Sequence, residues 1–173
     1  MFYIFSVIVG ALIFVADRLT KLQIASNMVL GESRDFLPGL IDLVYVHNDG
    51  GAWGMLGGYT WLLLSITVVV MLVCIALLLK YGVKNKLMFM AIMLVLSGGV
   101  GNMIDRIFYG GNVVDFLHFV FMPKFPVFNV ADCSIVIGAL LLIVYFILDI
   151  IKENREKKDI AKAMLHRQQD GEN

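Results

Sequence analysis

Charge is what this 173-residue chain has least of: Lys, Arg, Asp and Glu together make up 16% of it, against 60% hydrophobic residues. Soluble domains usually carry more charge and less apolar content. A mean hydropathy of +0.84 leaves little room for a water-soluble core of this size, so the broad class is integral membrane protein. The 14 basic and 14 acidic residues cancel to a formal net charge of zero. No basic patch with interleaved aromatics lies outside the C-terminal tail, so nothing points to a nucleic-acid partner. Cysteine is nearly absent. Cys74 falls inside one apolar run and Cys133 at the edge of another, which excludes a disulfide framework and offers no metal-ligand spacing. Of only three histidines, His166 lies in the tail. No Ser-His-Asp or Cys-His arrangement stands out, and a metal site built from His47, His118 and aspartates has no supporting motif. Internal repeats and low-complexity linkers are missing too.

What the chain does have is long uncharged runs. Trp61 to Leu79 is free of charge for nineteen residues and Leu87 to Ile104 for eighteen, each long enough to cross a bilayer. A third run, from about Asp132 to Ile151, and a fourth, from Phe2 to about Ala25, complete a set of four spans at about 2–25, 60–80, 87–107 and 132–151. The first is apolar only to Ala16 and then reads "DRLTK". It lacks a basic start and a small-residue cleavage motif, and reads as a retained span rather than a cleaved signal peptide. Lys80, Lys84 and Lys86 fill the link between spans two and three, and Lys152, Arg155, Lys157, Lys158, Lys162 and Arg167 follow span four. The opposite segments, 26–59 and 108–131, hold few basic residues. Both termini and the short link are therefore expected in the cytoplasm, with the two longer segments facing outward. The tail, 152–173, reads as a solvated or surface-lying helix.

Within the outward segments, "IDLVYVHN" (41–48) favours a short strand, and "NDGGAWG" supplies a turn before span two. "YGGNVVDFLHFVFMPKFPVFN" breaks at Gly-Gly, runs apolar and aromatic, and ends on Pro123 and Pro126. That suits a short helix or loop lying in the outer interface. The expected fold is an all-α polytopic membrane protein: one domain over 1–173, with four transmembrane helices, a small extracytoplasmic β-cradle and an interfacial helix or loop.

Unusual polar groups gather at the outer ends of these spans. Sixteen residues separate Asp132 from Asp149, about 24 Å of helix against a bilayer core of roughly 30 Å. With Asp149 near one interface, Asp132 lies at or slightly below the other. Asp17 and Lys21, four apart, share a helical face. Asn102, Asp105 and Arg106 stand at i, i+3 and i+4 near the end of span three. Asp17 with Lys21, and Asp105 with Arg106, are adequately read as interhelical ion pairs or helix-end charges. Arg106 could also snorkel to the interface. Asn48, Asn102 and Asn129 could simply bond between helices or cap them, and Gly98–Gly101 reads as a close helix contact rather than a phosphate cradle. Asp115 and Asp132 differ because no cation stands beside either in sequence. Two carboxylates brought together share one proton, so that one activates water while the other protonates the carbonyl oxygen or leaving amine. A proton or ion relay, or plain structural polarity, uses the same groups equally well.

Taken together, "ADRLTK", "HNDGGAWG", "GGVGNMIDR", "VVDF" and "FNVADCS" resemble lipoprotein signal peptidase, the bacterial signal peptidase II family, in order and spacing from span one through span four. The resemblance implies a four-span aspartic endopeptidase of the bacterial cytoplasmic membrane, working near its outer face. It removes signal peptides from prolipoproteins by cutting before a diacylglyceryl-modified cysteine. It implies Asp115 and Asp132 as the catalytic pair, Asn48, Gly50, Asn102, Arg106 and Asn129 as residues lining or supporting the site, and Asp17, Lys21 and Asp105 as structural polar groups. No metal or organic cofactor is implied. The expected partners are the lipidated substrate and membrane lipid, with the chain acting as a monomer. Gly51 departs from the family's usual turn, and Cys133 stands where Ser is common; packing is the expected role of that thiol. The competing readings are a small membrane transporter or proton-relay subunit, and a scaffold whose acids only organise the bundle. A relay needs polar groups through the membrane depth, whereas the span middles are almost purely apolar.

Overall fold

A computed structural model of the chain describes residues 1–50, 57–81 and 85–171. Seven elements follow in order: α1 (Phe2–Asn27), β1 (Ser33–Leu37), β2 (Ile41–Asn48), α2 (Thr60–Tyr81), α3 (Lys86–Phe108), β3 (Val113–Phe119) and α4 (Val130–Gly171). Four helices are long and apolar enough to cross a membrane. The helix surfaces are inverted relative to a soluble bundle. Leu12, Val69, Leu72, Ile143 and Leu148 are all more than half exposed, the pattern of side chains meant for lipid rather than water. Lys84 and Gly51, both noted in the sequence, lie outside the described residues.

α3 is the central helix and packs against α1, α2 and α4. Asn85 caps it, its Oδ1 accepting the Met88 backbone N–H at 3.1 Å, which satisfies one of the orphan donors at a helix start. Its other end stops at Gly110 and Gly111, whose φ angles of 62° and 102° turn the chain out of the helix at little steric cost. On one level, Cys74, Met88, Ile92, Val95 and Tyr145 join α2, α3 and α4 in an apolar cluster. At the other end, Ile24, Met28, Tyr45, Val114 and Phe116 seat the sheet on the last turns of α1. α3 and α4 approach closely because of glycine. A Cβ on Gly98 would collide with the Ala131 carbonyl oxygen, and one on Gly138 would sit 2.7 Å from the Ala91 oxygen.

The three strands form one antiparallel sheet in the order β1-β2-β3. β2 occupies the residues read as a strand from sequence. The segment expected to be an interfacial helix or loop divides differently: Val113–Phe119 is the third strand, with a turn before it and an irregular loop after it. Its backbone pairs with β2 in the register Val46↔Asp115, His47↔Val114 and Asn48↔Val113, a ladder that overrides the interfacial pattern. The loop folds back on this strand through a Leu117↔Phe128 bridge, with Phe119, Phe125 and Phe128 rings clustered 4.8–5.8 Å apart. The fourth span and the tail, read as separate pieces, are one helix of 42 residues. No proline or glycine breaks the chain after Gly138 until Gly171, and Lys157–Glu153 at 2.7 Å supports it at i,i+4 spacing.

Candidate active site

The start of α4 sets the geometry. Asn129 stands just before the helix, and its Oδ1 accepts the Asp132 backbone N–H at 2.9 Å. In return Asp132 Oδ2 accepts the Asn129 backbone N–H at 3.0 Å. This reciprocal pair is a capping box, so the Asp132 carboxylate is fixed by the same bonds that start its helix. The second amide of α4, Ala131 N–H, donates to Asp17 Oδ1 at 3.0 Å. Asp132 Oδ1 receives the Asn102 side-chain Nδ2 at 2.7 Å.

Asp115 comes from β3. Its Oδ1 accepts Asn129 Nδ2 at 2.6 Å and its Oδ2 accepts Asn48 Nδ2 at 2.7 Å. The β2–β3 register brings Asn48 beside Val113, diagonal to Asp115 and on the same face of the sheet. Gly50 donates its N–H to Asn48 Oδ1 at 3.0 Å, orienting that amide. Burial, and then the charge of Asp132, push the Asp115 carboxyl up to about 7, while the bonds from Asn48 and Asn129 pull the other way.

Asn48, Asn102, Arg106, Asp115 and Asp132 line one cavity of about 260 Å³, walled on its apolar side by residues such as Phe125, Pro126 and Val136. Thus both carboxylates read from sequence open onto the same space. Asn129 is fully buried behind them, a holder rather than a wall. Gly50 is joined to this wall by its bond to Asn48.

Below the cavity lies a buried ionic cluster. Lys21, 1% exposed, places Nζ 2.9 Å from Asp17 Oδ2, Asp105 Oδ2 and Asn102 Oδ1. Asp105 also accepts the Val114 backbone N–H at 3.2 Å, pinning the residue next to Asp115. The expected Asp17–Lys21 pair is present. Asp105 does form interhelical ion pairs, and its partners are Lys21 and Arg18 of α1 rather than the adjacent Arg106, which points in a different direction on the helix. Arg18 is the residue that sequence reasoning passed over. Its place in "DRLTK", beside Asp17 and three before Lys21, put it near the polar face, but nothing local named Asp105 as its partner. Arg106 lines the cavity with a buried Nε that has no hydrogen-bond partner among the described residues. His47 and His118 do not converge. His47 shares a 2.9 Å bond with Tyr45 Oη, and His118 sits opposite Asp42. Cys133 is half-buried and unpaired with Cys74.

Four apolar spans carrying a carboxylate-lined cavity at one end of the bundle define a multi-pass membrane protein with the groups for acid–base chemistry. Family comparison narrows the class. The family described as Signal peptidase (SPase) II matches residues 9–148. The lipoprotein signal peptidase of Bacillus pumilus is 41% identical over 150 residues, covering 86% of this chain and 94% of that one. That of Enterococcus faecalis is 39% identical, over 82% and 87%. Two solved bacterial membrane enzymes, determined by the in meso method at 2.3 and 1.9 Å resolution, superpose with TM-scores of 0.77 and 0.74. Each is 34% identical, and the matches cover 83% and 82% of this chain and 88% and 91% of theirs. The chain belongs to the signal peptidase II family and is a membrane-spanning peptidase.

Proposed function

We propose that this peptidase removes signal peptides from diacylglyceryl-modified bacterial prolipoproteins, cutting before the lipidated cysteine, with Asp115 and Asp132 as an aspartic pair that activates water. The observation that carries the reading is that both carboxylates open onto one cavity, each held by amide donors on both oxygens. Like charges so placed share one proton. One carboxylate takes a proton from water as the water oxygen bonds to the scissile carbonyl carbon, and the other gives its proton to the carbonyl oxygen. The first then protonates the departing amine as the C–N bond breaks, and the diol returns a proton to the second.

Around this pair, the Arg106 guanidinium offers donors to a peptide or ester carbonyl. The apolar wall of Phe125, Pro126, Ile135 and Val136 suits acyl chains that stay in the bilayer. The basic link and tail favour cytoplasmic termini and a site near the outer face. There a lipidated substrate keeps its chains in the membrane while its peptide meets water. The chain acts as a monomer in this scheme.

The test is purified protein in nanodiscs, given a diacylglyceryl-modified prolipoprotein. Asp115→Asn and Asp132→Asn should each lower turnover at least about a hundredfold, within the range of general acid–base contributions, while thermal unfolding shows both folded. Cys133→Ser should turn over normally. Wild-type turnover by either Asp variant would remove the pair from the mechanism.

A further inference from the structure

The buried cation beneath the cavity has a chemical consequence above it. Lys21 Nζ lies 2.9 Å from three oxygens and donates a hydrogen bond to one of them, the Asn102 Oδ1. An ammonium group donates and cannot accept. The Asn102 amide must therefore turn its oxygen to Lys21, which leaves its Nδ2 facing Asp132 Oδ1 at 2.7 Å. Asn129 Nδ2, 3.1 Å from Asn102 Oδ1, enforces the same orientation. Rotated the other way, Asn102 would set its NH2 against two donors and its oxygen against a carboxylate.

The two members of the pair are not equivalent in this respect. The amides on Asp115 end on backbone N–H groups, those of Gly50 and Asp132. The amide on Asp132 ends on a full positive charge, and its second oxygen takes a backbone N–H at the start of α4, where the helix dipole favours an anion. The charges facing Asp132 are Asp17 and Lys21 from α1, Arg106 from α3 and Asp115 from β3; Arg18 and Asp105 stand behind them, paired with each other and, through Asp105, with Lys21. Asp17 and Asp105 balance Arg18 and Lys21. Among the described residues the positive charge of Arg106 is then left for the pair, and one ionised and one protonated carboxyl match it.

We propose that Lys21 is a positioning residue for the peptidase reaction: by locking the amide of Asn102 it makes Asp132 the ionised, water-activating member and leaves Asp115 to carry the proton. This rests on the assignment of Asp115 and Asp132 as the catalytic pair. Asp132 then accepts the proton of water as the oxygen attacks, and Asp115 protonates the carbonyl oxygen; on collapse Asp132 returns its proton to the leaving amine and Asp115 regains one from the diol.

Lys21→Met alone strands a buried carboxylate, so the test uses the charge-balanced Asp17→Asn/Lys21→Met chain, with Asp17→Asn as its reference. The substrate is a diacylglyceryl-cysteine peptide. The double variant should lose at least about tenfold in kcat with KM within about twofold, the signature of an interaction made in the transition state. The acid side of its pH–rate profile should lie about one pH unit above the reference. A profile that overlays the reference, with kcat intact, overturns the proposal. A second measurement does not depend on that variant folding. The infrared stretch of a protonated carboxyl in wild type at pH 6 should shift in frequency in Asn48→Ala, which keeps both carboxyls and removes a hydrogen bond to Asp115 Oδ2. A band left unmoved by that substitution puts the proton on Asp132 and overturns the assignment. Turnover by Asp115→Asn or Asp132→Asn would instead remove the pair itself, a distinguishable failure.

Discussion

Asp115 is a carboxyl group 1% exposed to solvent whose ionisation is opposed first by that burial and then by Asp132. Its folded value of about 7 lies well above that of a carboxyl in an unfolded chain, about 3.9. The folded protein therefore holds this proton across a window where the unfolded chain has released it. The sign follows from linkage: stability falls as pH rises from about 4 to about 7 and levels off above. Wild-type protein in detergent should show its unfolding midpoint decline through that window. Asp115→Asn, which cannot ionise, should flatten the decline, and a slope unchanged by the substitution would contradict the burial argument. Sequence made Asp115 and Asp132 legible because acids without neighbouring cations are expensive at membrane depth. It placed Asp17 and Lys21 on one face by simple spacing. It read Asp105 as an interhelical or helix-end charge but did not name its partner, because Arg18, 87 residues away, supplies the charge. Long-range pairs of this kind leave no trace in local spacing.

Among the elements, α3 and α4 depend on closeness. Gly98 faces the Ala131 carbonyl and Ile135 Cγ1, the latter 2.8 Å from where a Cβ would stand, whereas a Cβ on Gly99 would find nothing nearer than 3.7 Å. Gly98→Ala should therefore push the first turn of α4 outward, destabilise by about 1–3 kcal/mol as overpacking does, and lengthen the Asn102–Asp132 bond. Turnover should fall with it. Gly99→Ala should leave both midpoint and turnover near wild type, and equal effects at the two glycines would refute the crossing as the cause. β2 was legible from its Val-, Leu- and Tyr-rich run. β1, "SRDFL", was not: all five residues are exposed, so no apolar alternation marks it. β3 was misread because "VVDFLHF" has the composition of an interfacial segment, and only pairing with β2 makes it a strand. That misreading matters for the site, since the strand is what carries Asp115.

At the scale of the whole molecule, two apolar clusters sandwich a polar layer. The four-span class was plain from composition because lipid admits few alternatives to helices. The length of α4 was not, since a charged surface does not announce whether a helix continues. At about 1.5 Å per residue, its 42 residues extend roughly 63 Å, about twice the bilayer core. From Ile151 to Ile160 every residue is exposed, and surface ion pairs such as Lys157–Glu153 contribute little. Deleting residues 161–173 should leave turnover and the unfolding midpoint unchanged within error, and a loss of either would assign the distal helix a role in the bundle.

The capping box at Asn129 and Asp132 bears on drug resistance. An inhibitor that grips the first turn of α4 contacts atoms that also begin the helix. Escape by substitution there removes the helix start, the hold on Asp115 through Asn129 Nδ2 and the carboxylate together. Resistance is therefore driven to the cavity's apolar rim, to residues such as Phe125 and Val136, and inhibitors anchored away from that rim leave a microbe the fewest exits.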